Sequence, residues 1–413
     1  MRVIILSDYG FVNGGAAQVA IASLNALAEV GVDVTFVSSV GPVDPTVNRT
    51  LVNVINFGFH DLMGNPSKLQ SAISGMWNSK ASVCFEEVLS SFDPRNTIIH
   101  LHTWVNSLSS SVVNIAIKKR FKVVCTCHDY FSICPNGGLY NYTEGKNCDL
   151  IPMSIACLIS NCDSRTYAHK LWRNARQIVQ NEFGHIRNGI KYFISVSHYS
   201  ESLLSPWLPK KSKFFRIGNP INISQKFPAK VDQNDVFTFI GRLSIEKGAV
   251  LFASAAKLTG VRSVFVGSGN EKSNIQNVNQ LSEFLGWQDR AGVIEAIRNS
   301  RAVIFPSLLH ESQGLVVKEA AALGVPVIAS DGCAARDDII HGETGLLFKA
   351  RDSYDLANKI ELLNKSPDLA KKLGRNAYER YWASPSTLEK HVTELISCYK
   401  HILSEDSENR KRK

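Results

Sequence analysis

The chain has 413 residues, 44% of them hydrophobic and 20% charged. That is the make-up of an ordinary globular protein, long enough for two or three domains with sizeable cores and in no need of a metal or disulfide to hold it. The net charge is +9; residues 1–218 carry 20 Lys plus Arg against 14 Asp plus Glu, and the remainder carries 26 against 23. No apolar run approaches membrane-spanning length. Met1-Arg2 leads straight into a short strand-like run rather than a secretory hydrophobic stretch. A cytosolic protein whose nine cysteines are reduced is therefore expected.

Residues 3–6 read as a buried parallel strand. Asn13-Gly14-Gly15 follows, then a helical stretch over 16–29 stopped by Gly31, then a strand over 33–39. Together they make a βαβ unit. Paired glycines let backbone approach a ligand closely, although the same turn also serves as a plain strand-to-helix connection. Further strands are predicted at 97–102, 122–127 and 192–197, separated by helical stretches, as in a doubly wound α/β domain. Cys127-His128-Asp129-Tyr130 ends one of them. Such folds carry function at strand carboxyl ends, where His128 could donate to a sugar hydroxyl or meet a developing charge; a lone histidine is more often structural.

Residues 130–170 are loop-rich and read as an insertion over the strand ends. Cys134, Cys148, Cys157 and Cys162 fall within it without any C-x2-C pair. Reduced structural thiols are the main reading, and an irregular four-thiolate metal site stays open. The βα pattern then restarts, with strands at 237–241, 263–267, 302–305 and 325–329 and helices at 246–258 and 315–323. The domains are placed at 1–218 and 219–385, with the join near Gly218-Asn219-Pro220. A helix over 384–403 follows, whose Leu388, Val392, Leu395, Ile396 and Tyr399 share one face. The basic run at 409–413 reads as a frayed end.

Two segments carry candidate ligand chemistry in the second domain. In Gly241-Arg242-Leu243-Ser244-Ile245-Glu246-Lys247-Gly248, Arg242 and Lys247 bracket a strand-to-helix turn. A guanidinium fork and an ammonium point charge suit a diphosphate; equally, both could be exposed cations pairing with Glu246. In His310-Glu311-Ser312-Gln313-Gly314-Leu315-Val316-Val317-Lys318-Glu319, a helix begins near Gly314. Glu311 then lies in the loop before it and Glu319 on its second turn. Helix N-termini attract phosphate, and a carboxylate can grip paired sugar hydroxyls, so the segment suggests a phosphate-linked sugar. Val266-Gly267-Ser268-Gly269 lacks the third glycine of a dinucleotide fingerprint, and no P-loop lysine motif is present.

Taken together, Asn13-Gly14-Gly15, His128-Asp129-Tyr130, Ser195-Val196-Ser197, Gly218-Asn219-Pro220, Gly241-Arg242 with Lys247-Gly248, Val266-Gly267-Ser268-Gly269, Phe284-Leu285-Gly286 and Glu311 with Glu319 make the chain resemble the family-4 glycosyltransferases. The resemblance covers nearly the whole chain. It implies the GT-B fold, two Rossmann-like α/β domains facing across a cleft, and a retaining transfer from a nucleotide-diphosphate sugar. It implies that Arg242 and Lys247 hold the diphosphate, that Glu319 holds ribose hydroxyls, and that backbone at Gly314 and Leu315 meets phosphate. Glu311 would contact the transferred sugar and His128 would sit beside it, with Gly14, Gly15 and Asp129 lining the acceptor side. The final helix, residues 386–413 with the tail, would return to the first domain. The family's Pro-x-x-x-Glu lead-in carries one extra residue here, between Pro306 and Glu311.

With two cations on the leaving group, no cofactor and no divalent metal are expected. Retention without a placed nucleophile points to front-face attack assisted by the departing phosphate. The expected partners are a nucleotide sugar and a glycan or lipid-linked acceptor of cell-surface polysaccharide synthesis, with no nucleic acid. The charge surplus in the first half, with Lys118-Lys119-Arg120 and Lys210-Lys211 expected near the cleft mouth, suggests contact with the anionic inner face of the plasma membrane. A GT-B nucleotide-sugar epimerase is the alternative enzyme. A basic nucleic-acid-binding protein ranks last, because no recognition helix or stacking platform is visible.

Overall fold

The computed structural model describes the backbone of residues 1–411 and the side chains of residues 1–405; the basic run at 409–413 lies outside the described side chains. Strands β1 (Arg2–Tyr9), β2 (Asp33–Val40), β3 (Val52–Asn56), β4 (Thr97–Leu101), β5 (Lys122–Cys127), β8 (Tyr192–Ser195) and β9 (Lys213–Arg216) form one sheet, in the order β3-β2-β1-β4-β5-β8-β9. Between β5 and β8 lies a small ribbon of β6 (Tyr140–Asn141) and β7 (Lys146–Asn147). Strands β10 (Val236–Ile240), β11 (Arg262–Val266), β12 (Glu283–Gly286), β13 (Ser300–Phe305), β14 (Val327–Ser330) and β15 (Gly345–Phe348) form a second sheet, ordered β12-β11-β10-β13-β14-β15. Every pairing in both large sheets is parallel.

The central strands are continuous apolar runs because helices cover both their faces. Val3, Ile4, Ile5 and Leu6 of β1 are all buried, so its side chains feed two cores. Ile4 and Leu6 join Phe85, Leu101 and Phe193 on one side. Val3 and Ile5 join Leu24 and Leu27 of the Gly15–Glu29 helix on the other. Phe237, Phe239, Phe252 and Phe265 anchor the core of the second sheet.

The last helix, Leu388–Lys411, packs on the first sheet's core through Val392, Leu395, Tyr399 and Ile402. Its His391 is buried and donates from Nδ1 to the Gly218 carbonyl at 2.9 Å, while Nε2 lies 2.9 Å from the Ser23 hydroxyl. One side chain thus ties the crossing helix to the interdomain segment and to the Gly15–Glu29 helix. Further along, Glu405 accepts from Lys191 at 2.9 Å and the Tyr192 hydroxyl at 3.1 Å, and also pairs with Lys213. Burial acts to raise its pKa, but these donors outweigh it and hold it at about 2. A depressed folded pKa contributes stability that is full above the ordinary carboxylate value of 4.5 and is lost as pH falls toward 2. Glu405→Gln is therefore expected to weaken the fold at neutral pH and to flatten the acid limb between those values. Urea titrations at a series of pH values read this directly; a variant with an unchanged acid limb contradicts it.

Three expectations need correction. Residues 246–258 are not one helix: a single 3-10 turn, Ile245–Lys247, is followed by Gly248 in the left-handed region (φ 72°) and then the helix Ala249–Thr259. A Cβ at Gly248 would lie 2.0 Å from the Pro306 carbonyl oxygen, so β13's loop presses on the backbone there and only glycine fits. The last helix starts at Leu388 rather than 384: the helix Pro367–Ala383 ends first, and the Thr387 hydroxyl accepts the Lys390 N–H in a new cap. Lys118-Lys119-Arg120 and Lys210-Lys211 do not stand at the cleft mouth. They precede β5 and β9, and in a parallel sheet the amino ends of strands lie opposite their carboxyl ends.

Candidate functional site

Strand order reverses between β1 and β4 in the first sheet and between β10 and β13 in the second. Ligands of open α/β sheets bind beyond strand carboxyl ends at such switch points. The loops there supply Asn13-Gly14-Gly15 and His102 from the first domain, and Gly241-Arg242 and Pro306–Glu311 from the second. The two ends meet: the Ser312 hydroxyl donates to the His128 carbonyl at 2.8 Å, and the Gln313 side-chain oxygen accepts the Asn219 N–H at 3.0 Å.

One cavity of about 520 Å³ is lined by Asn13, Gly14 and Gly15 on one side and Gly241, Arg242, Lys247 and Ser307 on the other. Its electrostatics centre on Lys247, whose ammonium lies 2.5 Å from Glu311 Oε1. The Ser307 hydroxyl donates to the same oxygen at 2.9 Å. Glu311 therefore reaches Lys247 and Ser307 despite the extra residue in its lead-in. Arg242 contrasts with Lys247: its side chain is 70% exposed and lies 3.9 Å from Glu246. Of the expected alternative, in which both cations pair with Glu246, the structure has only the Arg242 half.

Gly314 is the N-cap of the helix Leu315–Ala322, which puts Glu319 on its second turn. A second cavity of about 370 Å³ is lined by Leu315 and Glu319 together with Gln18, Asn222 and Arg290. Burial raises the pKa of Glu319, and Arg290, 3.4 Å away, opposes that. Arg290 also donates to the Asn222 carbonyl from Nε at 3.0 Å and Nη2 at 2.5 Å. No sequence motif marks it; Asp289 is the N-cap of the helix Arg290–Arg298, which Arg290 opens.

On the first domain's side, His128 Nε2 lies 3.0 Å from His102 Nδ1, and burial lowers the His128 pKa to about 3. Asp129 spends Oδ1 on the Phe131 N–H at 3.0 Å, and burial raises its pKa to about 6. Neither His128 nor Asp129 is among the residues lining the Gly14–Lys247 cavity.

The loops after β4 and β5 rest on a polar helix face that sequence periodicity does not reveal. In the helix Tyr167–Glu182 the buried residues are Lys170, Asn174, Arg176, Gln177, Gln180 and Asn181. Arg176 donates to the carbonyls of Val105 and Pro135 and stacks on Phe131 and Trp172. Gln180 accepts the Trp104 indole N–H and donates to the Phe131 carbonyl. The insertion is thereby bound to the loops after β4 and β5. Its four cysteines are free thiols; Cys134 and Cys162 share Asn136, at 3.1 and 3.5 Å. Among the described residues no group of three or more His, Cys, Asp and Glu side chains is arranged to hold a metal ion.

Comparison with known proteins agrees with this geometry. The family model described as Glycosyltransferase Family 4 matches residues 13–225, and that described as Glycosyl transferases group 1 matches residues 221–380. The phosphatidyl-myo-inositol mannosyltransferase of Mycobacterium leprae is 34% identical over 144 residues, 33% of this chain and 38% of that protein. The capsular polysaccharide biosynthesis glycosyltransferase CapM of Staphylococcus aureus is 27% identical over 170 residues, 38% of this chain and 44% of that one. Matches to curated relatives such as these thus span less than half of the relative's length. Among solved structures, sucrose-phosphate synthase from Thermosynechococcus elongatus superposes with a TM-score of 0.70 over 98% of this chain and all of its own, at 19% identity. Anabaena HepE in complex with UDP gives 0.65 over 97% and 100%, at 16% identity. At those identities the likeness shows the fold alone.

Proposed function

Because the chain belongs to the family-4 glycosyltransferases and has the GT-B fold, we propose that it moves a sugar from a nucleotide-diphosphate sugar to a glycan or lipid-linked acceptor, with retention, in polysaccharide or glycolipid synthesis. The observation that carries this reading is the cavity joining the Gly14-Gly15 turn to Arg242, Lys247 and the Lys247–Glu311 pair. The diphosphate sits against Arg242 and Lys247, with amide groups of the Gly314–Leu315 helix start completing the anion site. Glu319, with Arg290, grips the ribose. Glu311 contacts the transferred sugar, and His128 approaches it from the other domain. Glu311, the carboxylate placed at the sugar, is engaged by Lys247 and Ser307, so the acceptor attacks the face the diphosphate leaves, and the departing phosphate takes the acceptor's proton. Catalysis then rests on positioning and on neutralising the leaving group, which two side-chain cations do without a divalent metal.

The test is a thermal-shift panel of UDP- and GDP-linked sugars in EDTA, followed by transfer assays in the same buffer. A ligand that binds only the folded state raises its midpoint, and HepE, solved with UDP, makes the uridine sugars the first choice. Arg242→Ala and Glu319→Ala are each expected to weaken the responding nucleotide sugar by roughly 1.5–3 kcal/mol. Unchanged affinity in both, read by calorimetry on folded variants, sinks the donor-site assignment. Loss of activity in EDTA, restored by magnesium or manganese, shows the leaving-group argument to be wrong.

A membrane-face acceptor is supported by a surface other than the two basic clusters. Leu69 and Ile73 of the helix Lys68–Met76, Ile155 and Ile159 of the helix Ile155–Ile159, and Leu171 and Ile178 of the helix Tyr167–Glu182 are all exposed. The three helices touch through Trp172 to the Ala72 carbonyl at 3.0 Å and Asn174 to the Leu158 carbonyl at 2.9 Å. Exposed Lys68 adjoins Leu69, Lys80 lines one cavity with Ile73, and Arg165 reaches the Met63 sulfur at 3.2 Å, so cations lie beside apolar side chains, the composition that anionic bilayer interfaces attract. Among the described residues no helix is long and apolar enough to cross a membrane. Cosedimentation with anionic vesicles, and its loss in an Ile159→Glu/Leu171→Glu double variant, is the expected result. Equal and negligible binding to anionic and neutral vesicles removes the membrane from the reading and leaves the transferase intact.

A further inference from the structure

His102 continues the ladder beyond β4, its N–H donating to the Leu6 carbonyl at 3.0 Å, and its side chain is 2% exposed. Its ring lies between two others. His100 is 4.2 Å away between centroids, and His128 is 5.2 Å away with its plane inclined by 25°. His100 has hydroxyl partners on both nitrogens, Tyr399 at 2.7 Å and Thr126 at 2.6 Å, and hydroxyls serve either tautomer. His102 and His128 are more constrained. They share one contact, Nδ1 to Nε2 at 3.0 Å, and His102 Nε2 is buried with no protein partner. Burial keeps both rings neutral at physiological pH.

A neutral imidazole carries one N–H, so the shared contact holds one proton and leaves two arrangements. In the first, the Nδ1–H of His102 donates to Nε2 of His128; His128 then bears its own proton on Nδ1, and the buried Nε2 of His102 is a bare acceptor. In the second, the Nε2–H of His128 donates to Nδ1 of His102; the buried Nε2 of His102 then carries an N–H with nothing to receive it, and Nδ1 of His128 is a bare acceptor. On the backbone, orphaned buried N–H groups are rarer than under-satisfied acceptors; the same preference at the imidazole favours the first arrangement.

We propose that His102 is a positioning residue that fixes the tautomer of His128, so that His128 offers an Nδ1–H donor to an oxygen of the ligand in the cleft. The inference rests on the reading of His128 as a ligand contact. A sugar diphosphate presents hydroxyl and phosphate oxygens, all of which accept, so a neutral donor matches it and holds that role across the physiological pH range. His102 acts only through His128, because its free nitrogen is buried.

The test is long-range ¹H–¹⁵N correlation on the full chain labelled at histidine, with His102→Asn and His128→Asn variants to assign the resonances. The expected result is protonation at Nδ1 of both His128 and His102. A proton on Nε2 of His128 overturns the proposal. Activity gives a second readout. An asparagine amide lies near the Nδ1 position and a glutamine amide near Nε2, so His128→Asn should keep about tenfold more kcat than His128→Gln, the worth of one hydrogen bond. His102→Leu should lower kcat by a similar factor and leave the His128 tautomer mixed, and His102→Asn, which keeps a donor at the Nδ1 position, should restore both. If His102→Leu folds with the His128 resonances and kcat unchanged, His102 does not set the tautomer. If instead the tautomer is as stated but His128→Ala is fully active, the donor role fails together with the reading of His128, and the proton assignment alone remains.

Discussion

Lys247→Ala should lower kcat/KM for sugar transfer by roughly 100- to 1000-fold, the range found when one preorganised group that stabilises developing charge is removed. Lys247 is 26% exposed, stands across the cavity from the Gly14-Gly15 turn and is held at 2.5 Å by Glu311, so its ammonium is fixed before a ligand arrives. On the proposed donor site its removal takes a cation from the leaving diphosphate, and among the described residues it leaves Glu311 with only the Ser307 hydroxyl. Arg242 should matter less to the chemical step, because it is largely exposed and only loosely paired; water screens such a charge. The ordering Lys247→Ala far below Arg242→Ala is thus the sharper expectation. Steady-state kinetics on both, with thermal midpoints to show that each is folded, decide it. Lys247→Ala within a fewfold of the unaltered enzyme would remove Lys247 from the leaving-group site.

The legible part of this fold was the part with one-dimensional order. Continuous apolar strands separated by helical stretches announce parallel sheets, and Gly248, Gly267 and Gly269 mark turns where backbone presses on backbone. The Glu311–Glu319 spacing was readable because a short helix start lies between the two. What stayed hidden is long-range. Strand β9, Lys-Phe-Phe-Arg, is partly exposed on both faces at the sheet edge, so it shows neither an alternating nor a buried pattern. Arg290 joins Glu319 only because the loop at Asn222 brings the two together. The helix Tyr167–Glu182 turns a polar face inward and exposes Leu171 and Ile178, the reverse of what amphipathic patterning leads one to expect. Arg176 and Gln180 on that face donate to loop carbonyls, and no periodicity in the sequence reports where those lie.

The largest stability effect should come from a residue with no direct part in the chemistry. Asp8, near the end of β1, is fully buried and accepts three backbone N–H groups of the loop after β4, from Asn106 at 2.9 Å, Ser107 at 2.9 Å and Leu108 at 3.0 Å. Burial raises its pKa, and the three amides and Arg176 oppose that. Asp8→Ala leaves three amides without acceptors, two of them buried and the third partly so; at about 1–3 kcal/mol for each unsatisfied group, partly relieved by rearrangement, a loss of about 3–5 kcal/mol is expected. That is a large share of a domain's usual stability. Asp8→Asn should fall between: Oδ1 serves Ser107 and Leu108, so a carboxamide oxygen there keeps two bonds, while its NH2 would oppose the Asn106 N–H. Urea unfolding followed by tryptophan fluorescence reports this domain well, since Trp77, Trp104, Trp172 and Trp207, four of the six tryptophans, lie in it and Trp104 sits in the affected loop. The same loop starts at His102, so a strand-end carboxylate that holds it also holds the histidine pair at the cleft. Asp8→Asn should therefore lower kcat as well as the urea midpoint, and a variant with full stability would show that the loop finds its acceptors elsewhere.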